Sequence, residues 1–253
     1  MAGDVGRIRR ARTLDRVLSK AGVGSRTEAR RWIAERRVAV NGRVVTDPDR
    51  WIDPEKDRVT LDGASLRSAR KLYLLVHKPK GYLTTYRDPH GRKTLYDLLP
   101  ERDRYLFPVG RLDLDTSGLI IMTNDSAFAE ALTNPEHEVP KTYLVKASKL
   151  LTDYQLAQLR AGVMLKDGPT RPARLTRLRD ASGRTVFEIT LTEGRNRQVR
   201  RMVETQDAKV LKLVRVAIGG LRIGDLPIGS VRPLLAEEVR KLSPSPGGTG
   251  RSK

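Results

Sequence analysis

Apolar and polar positions divide this chain into a short helical start and a long strand-rich remainder. Leu14, Val17 and Leu18 recur at helical spacing, and Gly22 and Gly24 stop that helix. Ser25 followed by Glu28 makes a capping box, so a second helix starts there and runs to about Arg36. Ala29, Trp32 and Ile33 form its apolar stripe, while Arg26, Arg30, Arg31 and Arg37 lie mostly outside it, which gives one basic face. Val38 to Val40, then Asn41-Gly42, then Arg43 to Val45 predict a type I′ hairpin, a turn that needs positive φ at both central residues. The segment from Gly63 to Lys71 is small, polar and basic, as a linker is.

From Leu72 the pattern changes. Strand-like runs cover Leu72 to His77, Tyr82 to Thr85, Leu119 to Thr123, Thr142 to Ala147, Arg174 to Leu178, Thr185 to Thr192 and Val210 to Ala217. Helices are expected over Ser126 to Leu132, before Pro135, and after the capping box of Thr152 and Gln155, ending at Gly162. Strands at mixed spacing with scattered helices predict an α+β domain around a largely antiparallel sheet. Five segments follow: a basic disordered N-terminus over 1–11, a small domain over 12–66, a linker over 67–71, a larger domain over 72–243 and a disordered tail over 244–253.

Charge narrows the function. The 253 residues carry 49 Lys and Arg against 30 acids, a formal charge of +19 that suits a polyanionic partner. Between Arg7 and Val45 there are 12 basic residues and 3 acids, a local excess of +9, whereas Thr46 to Leu66 is net acidic. A basic run that dense in so short a segment reads as a binding surface, with a plain solvated face as the alternative. The absence of cysteine excludes disulfides and thiolate metal sites, and His77, His90 and His137 lack metal-ligand spacing, so no metal is expected. No apolar run is long enough to span a membrane and no secretory signal follows the N-terminal arginines, so the expected location is cytoplasmic, away from membranes.

The candidate chemistry lies in Gly110 to Asp125, GRLDLDTSGLIIMTND. A turn rich in Gly, Asp and Ser leads there into a short apolar strand, and Asp113 sits beside Arg111, whose guanidinium favours the charged form of a neighbouring carboxyl. On residues alone Asp113 has two readings, a turn former or a nucleophile or base; Asp115 and Asp125 fit the turn-former role.

GRLDLDTSGLIIMTND resembles the signature of the RsuA/RluB family of ribosomal RNA pseudouridine synthases. KTYLVKAS (Lys141 to Ser148), EGRNRQVRRM (Glu193 to Met202), HKPKGYLTT and LVRVAIGGLRIGDLPIGSVRPL also resemble family segments, in family order, over roughly residues 10 to 243. The two short helices and Asn-Gly hairpin resemble the RNA-binding fold of ribosomal protein S-four. The resemblance implies an isomerase without cofactor that breaks the N-glycosidic bond of a uridine and rejoins C5 to C1′. It implies Asp113 as the catalytic carboxylate, Tyr143 against the target base and Arg200 as the basic residue that meets Asp113, in bidentate geometry. Arg26, Arg30, Arg31, Arg43, Arg111, Lys141, Arg195, Arg197 and Arg201 are the expected RNA contacts, and the expected partner of this monomer is rRNA or a ribosomal precursor particle. Arg87 to Pro100 looks closer to the large-subunit (B) type. The alternatives are a small-subunit enzyme, a non-catalytic RNA-binding assembly factor, and a helix-turn-helix DNA binder; the direct step from the second helix into a hairpin argues against the last.

Overall fold

The computed structural model describes residues 11–53, 56–66, 70–86, 88–100 and 105–242. The N-terminal segment to residue 10, linker positions 67–69 and the tail from residue 243 lie outside the described residues. Contacts divide the chain into two compact units. The first is Met1–Leu72 with Glu101–Phe107 and Asn124–Ser126; the second is Tyr73–Pro100, Pro108–Thr123 and Ala127–Lys253.

In the first unit, helices α1 (Leu14–Lys20) and α2 (Arg26–Ala34) pack beside a small sheet of β1 (Val38–Val40), β2 (Arg43–Val44), β3 (Val59–Leu61) and β4 (Ala64–Ser65), in the order β2-β1-β3-β4. The Ser25 and Glu28 capping box is present in both directions. Helix α2 stops two residues earlier than the apolar pattern suggests, because Arg36 turns into the left-handed region at φ 61°. Asn41 and Gly42 both have positive φ, 52° and 79°, as the hairpin requires. Leu14, Leu18, Ile33 and Ile52 are fully buried, each contributing about 1.5–3 kcal/mol by leaving water. Gly24 has a reason beyond stopping α1: a Cβ there would lie 2.4 Å from Cη2 of Trp32, so the indole packs on bare backbone.

The second unit is built on one large sheet. Its main strands are β5 (Tyr73–Lys78), β6 (Ser117–Thr123), β7 (Lys141–Ala147), β8 (Arg174–Ala181), β9 (Arg184–Leu191), β10 (Val210–Ile218) and β11 (Val231–Pro233). The order is β8-β9-β7-β10-β6-β5-β11, antiparallel throughout except for the parallel pair β10 and β6. Leu119 to Met122 are all fully buried, which is why that run shows no alternation. Helices α3 (Ser126–Thr133), α4 (Asp153–Ala161), α5 (Gln198–Glu204) and α6 (Ala236–Leu242) accompany the sheet. Leu156 and Leu159 of α4 and Val199, Met202 and Val203 of α5 close a core over Val145, Phe187, Ile189 and Leu213.

One predicted strand, Tyr82 to Thr85, does not join a sheet. Leu83 instead exchanges backbone hydrogen bonds with the segment just after it, donating to Lys93 O at 2.9 Å and accepting from Leu95 N at 2.9 Å. Local apolar content could not distinguish that self-contained loop from a strand.

Candidate active site

The loop that carries Asp113 is pinned from several sides. Thr84 Oγ1 donates to Leu112 O at 2.8 Å and accepts from Leu112 N at 3.2 Å, while Gly81 N donates to Leu114 O at 2.8 Å. Below it lies Lys78, a fully buried lysine whose Nζ donates to the carbonyls of Pro79, Asp113 and Thr116 at 3.1, 3.0 and 2.8 Å. Burial pushes the Lys78 ammonium down to about 8, against the opposing pull of Asp113 and Asp115. Three carbonyls and two nearby carboxylates compensate this buried cation.

The loop also needs Gly118. Its φ is +116°, and a Cβ there would lie 2.3 Å from the Arg215 carbonyl oxygen, so only glycine permits the parallel pairing of Gly118 with Arg215. Asp113 itself opens onto a cavity of about 490 Å³ whose walls include Arg111, Lys141, Tyr143, Arg197 and Arg215. Its side chain is 35% exposed.

The arginines around it are arranged differently from the expectation. Arg200 is buried on α5, and its Nη2 lies 3.1 Å from Asp115 Oδ2 and donates to Asp115 O at 3.0 Å, while Nη1 donates to Val210 O at 3.1 Å. Its partner is therefore Asp115 rather than Asp113. Among the described residues the cation paired with the Asp113 carboxylate is Arg197, with Nη1 3.8 Å from Oδ2; the same group is 3.2 Å from Asp115. Arg197 sits at the start of α5 in the left-handed region, φ 48°, an uncommon conformation that aims its guanidinium at both acids. Arg111 contributes its carbonyl, not an ion pair, to the described network.

Tyr143 is half-buried, packs against the core and lines the cavity, so a core and a pocket position coincide as its alternation with Val145 and Ala147 suggests. Lys141 lines the same cavity, and Nζ donates to Val139 O at 3.0 Å. Two arginines expected at phosphates are engaged within the fold. Arg201 grips Asp167 through both nitrogens at 2.8 and 3.1 Å, and Arg195 pairs with Glu193 and bonds Gly168 O. Arg26 and Arg30 converge on Asp15, a fully buried carboxylate. Burial raises its pKa, but hydrogen bonds from Thr13, Arg26 and Arg30 outweigh that and hold it at about 2. Arg31 is exposed beside Glu35 at 3.7 Å, and Arg43 is exposed on β2. Asp125 is buried and pairs with Lys71 at 2.7 Å.

Comparison with known proteins adds the decisive observation. Residues 72–205 match the family model described as RNA pseudouridylate synthase, and residues 12–63 match the S4 domain. The chain belongs to the RNA pseudouridylate synthase family. An uncharacterized RNA pseudouridine synthase of Aquifex aeolicus is 38% identical over 90% of this chain and 92% of its own length. The ribosomal large subunit pseudouridine synthase B of Bacillus subtilis is 37% identical over 90% and 94%. A pseudouridylate synthase crystal structure superposes with a TM-score of 0.67 at 30% identity, covering 91% of this chain and 99% of the other. In this pseudouridine synthase, Asp113, Tyr143 and Arg200 all fall inside the family match.

Sequence reasoning missed Lys78, Thr84 and Arg215. A charged residue inside an apolar strand, as in LVRVAI, was the available signal for Arg215. For Lys78 it was a lysine closing an apolar run just before Pro79.

Proposed function

We propose that this pseudouridine synthase isomerises a uridine of large-subunit ribosomal RNA, with Asp113 acting on the ribose and Tyr143 as the platform for the base. The observation that carries the reading is the placement of Asp113 at a cavity that Tyr143 also lines. Asp113 attacks C1′ or removes the 2′ proton, and either route needs a carboxylate that projects from a fixed loop toward an open space. An unstacked base laid on Tyr143 recovers about 1–3 kcal/mol of the cost of leaving its helix. Arg200 then serves as a positioning residue, holding the loop through Asp115.

The choice of large-subunit rRNA is supported by relatives from Bacillus subtilis and Pseudomonas aeruginosa, both named ribosomal large subunit pseudouridine synthase B. The S4 match and the charge of +19 support a structured RNA partner, with Arg31 and Arg43 as its phosphate contacts in the first unit. Ribosomal RNA as substrate in turn supports a cytoplasmic location. No helix among the described residues is long and apolar enough to cross a membrane. Mapping pseudouridine across both rRNAs in a deletion strain tests the reading: one large-subunit site should revert to uridine, and loss of a small-subunit site instead would overturn the assignment.

A further inference from the structure

Three side chains on two neighbouring strands face the cavity that Asp113 faces. Tyr143 on β7 and Arg215 on β10 are register partners, and partners in antiparallel strands project from the same face. Lys141, two residues before Tyr143 along the unbroken pairing of β7 with β9, shares that face. All three line the cavity.

Arg215 is 3% exposed. Its Nε donates to Leu119 O at 2.7 Å, its Nη1 stands 3.5 Å from Arg111 O, and its buried Nη2 has no hydrogen-bond partner. No carboxylate among the described residues pairs with Arg215 or Lys141. Burial and the neighbouring Arg215 both push the Lys141 ammonium below its ordinary value. Buried cations are normally paired, so a buried Arg215 with one unpartnered nitrogen beside a half-buried Lys141, both lining one cavity, marks a place where negative charge arrives.

The isomerisation generates such a charge. When the C1′–N1 bond breaks, its electron pair leaves with the base as uracilate, whose charge spreads over N1 and the two carbonyl oxygens. C1′ then bonds to the Asp113 carboxylate, or the 2′ proton passes to that carboxylate to leave a glycal. Rejoining at C5 releases the C5 proton while N1 takes one up, so no oxidant, reductant or co-reactant is needed. A base lying on Tyr143 turns an edge toward Arg215, its register partner, whereas RNA phosphates keep to solvated surfaces and a guanidinium this deeply buried is poorly placed for them. Through Nη1 the same guanidinium reaches the Arg111 carbonyl on the loop that carries Asp113.

We propose that Arg215, with Lys141 beside it, receives the carbonyl oxygens of the target uracil and stabilises the uracilate released on bond cleavage. Preset donors aimed at developing charge are a strong source of rate. The family match ends at residue 205, so Arg215 lies outside it. The inference rests on the uridine isomerisation proposed above.

The test compares single-turnover loss of the original N-glycoside for uridine and 5-fluorouridine at the target position of an rRNA fragment, in wild type, Arg215→Gln and Lys141→Met. Fluorine stabilises the departing anion by itself. Arg215→Gln should therefore slow cleavage of uridine by about 100-fold but of 5-fluorouridine by less than about tenfold, with Lys141→Met showing the same sign at smaller size. Equal deficits on both substrates would overturn the proposal and leave these residues a structural part. A deficit confined to RNA capture, with a shallower salt dependence, would overturn it by assigning the cations to phosphate. If Arg215→Gln fails to fold, Lys141→Met carries the comparison. Wild type that leaves uridine unchanged would sink the reaction itself, which is distinguishable from either result.

Discussion

Arg200 clamps Asp115, two residues past the proposed catalytic carboxylate, with Nη2 3.1 Å from Oδ2 and 3.0 Å from the carbonyl oxygen of the same residue. Asp113 is thereby left facing the cavity, with its carboxylate 3.8 Å from the Arg197 guanidinium. The two acids of GRLDLD thus divide the work: one anchors the loop to α5, and the other stays available to substrate.

That division changes what Asp115 should do on mutation. Asp115→Ala strands the buried Arg200 guanidinium, and breaking a buried pair costs up to about 3–5 kcal/mol, less here because the acid is one-third exposed. Turnover should fall at least about tenfold together with thermal stability, whereas Asp115→Asn, which keeps an acceptor, should lose less of both. Turnover and melting curves of the two variants check this; wild-type values for Asp115→Ala would show that the clamp is idle.

Arg200→Lys should also lower turnover despite keeping the charge. The planar fork spans Val210 O with one nitrogen and Asp115 with the other, and a point-like ammonium cannot reach both. A KM near wild type with a reduced kcat is expected. An unchanged kcat would remove Arg200 from the account.

Gly118→Ala tests the strand junction under the loop. An added Cβ would meet the Arg215 carbonyl oxygen at 2.3 Å in a backbone of φ +116°, so the parallel pairing of β6 with β10 must give way. We expect a loss of at least about 2–3 kcal/mol, measurable by denaturant unfolding, with Asp113-dependent activity falling in step.

Much of this was legible in the sequence. The capping boxes at Ser25 and Thr152, the Asn41-Gly42 turn and the buried strand before Asn124 are local signals, and the structure places each where the residues indicate. What local pattern could not supply was partner choice. Asp113 and Asp115 differ by two positions, and only the packing of α5 decides which meets Arg200. Similarly, Arg26 and Arg30 read as a basic RNA face, and local pattern could not show that both, while still exposed, also serve as counterions of the buried Asp15.

Those counterions give the first unit a defined acid response. The folded carboxyl of Asp15 titrates at about 2 against an ordinary 3.8, so the unfolded chain takes up this proton first. The stabilisation, about 2 kcal/mol, is therefore complete above pH 3.8 and is lost as pH falls toward 2. Asp15→Asn should flatten that acid limb in a pH series of unfolding curves. Arg30→Ala should lower stability, whereas Arg43→Ala should leave it unchanged and reduce the salt slope of RNA binding by about 0.7–0.9.

Purified wild-type protein and Asp113→Asn, incubated with unmodified large-subunit rRNA, should differ absolutely in product: pseudouridine at one site with wild type and none with the variant, which should still bind the RNA within a few-fold, because the amide keeps the shape but is neither nucleophile nor base. Substantial pseudouridine from the pure variant would contradict the assignment.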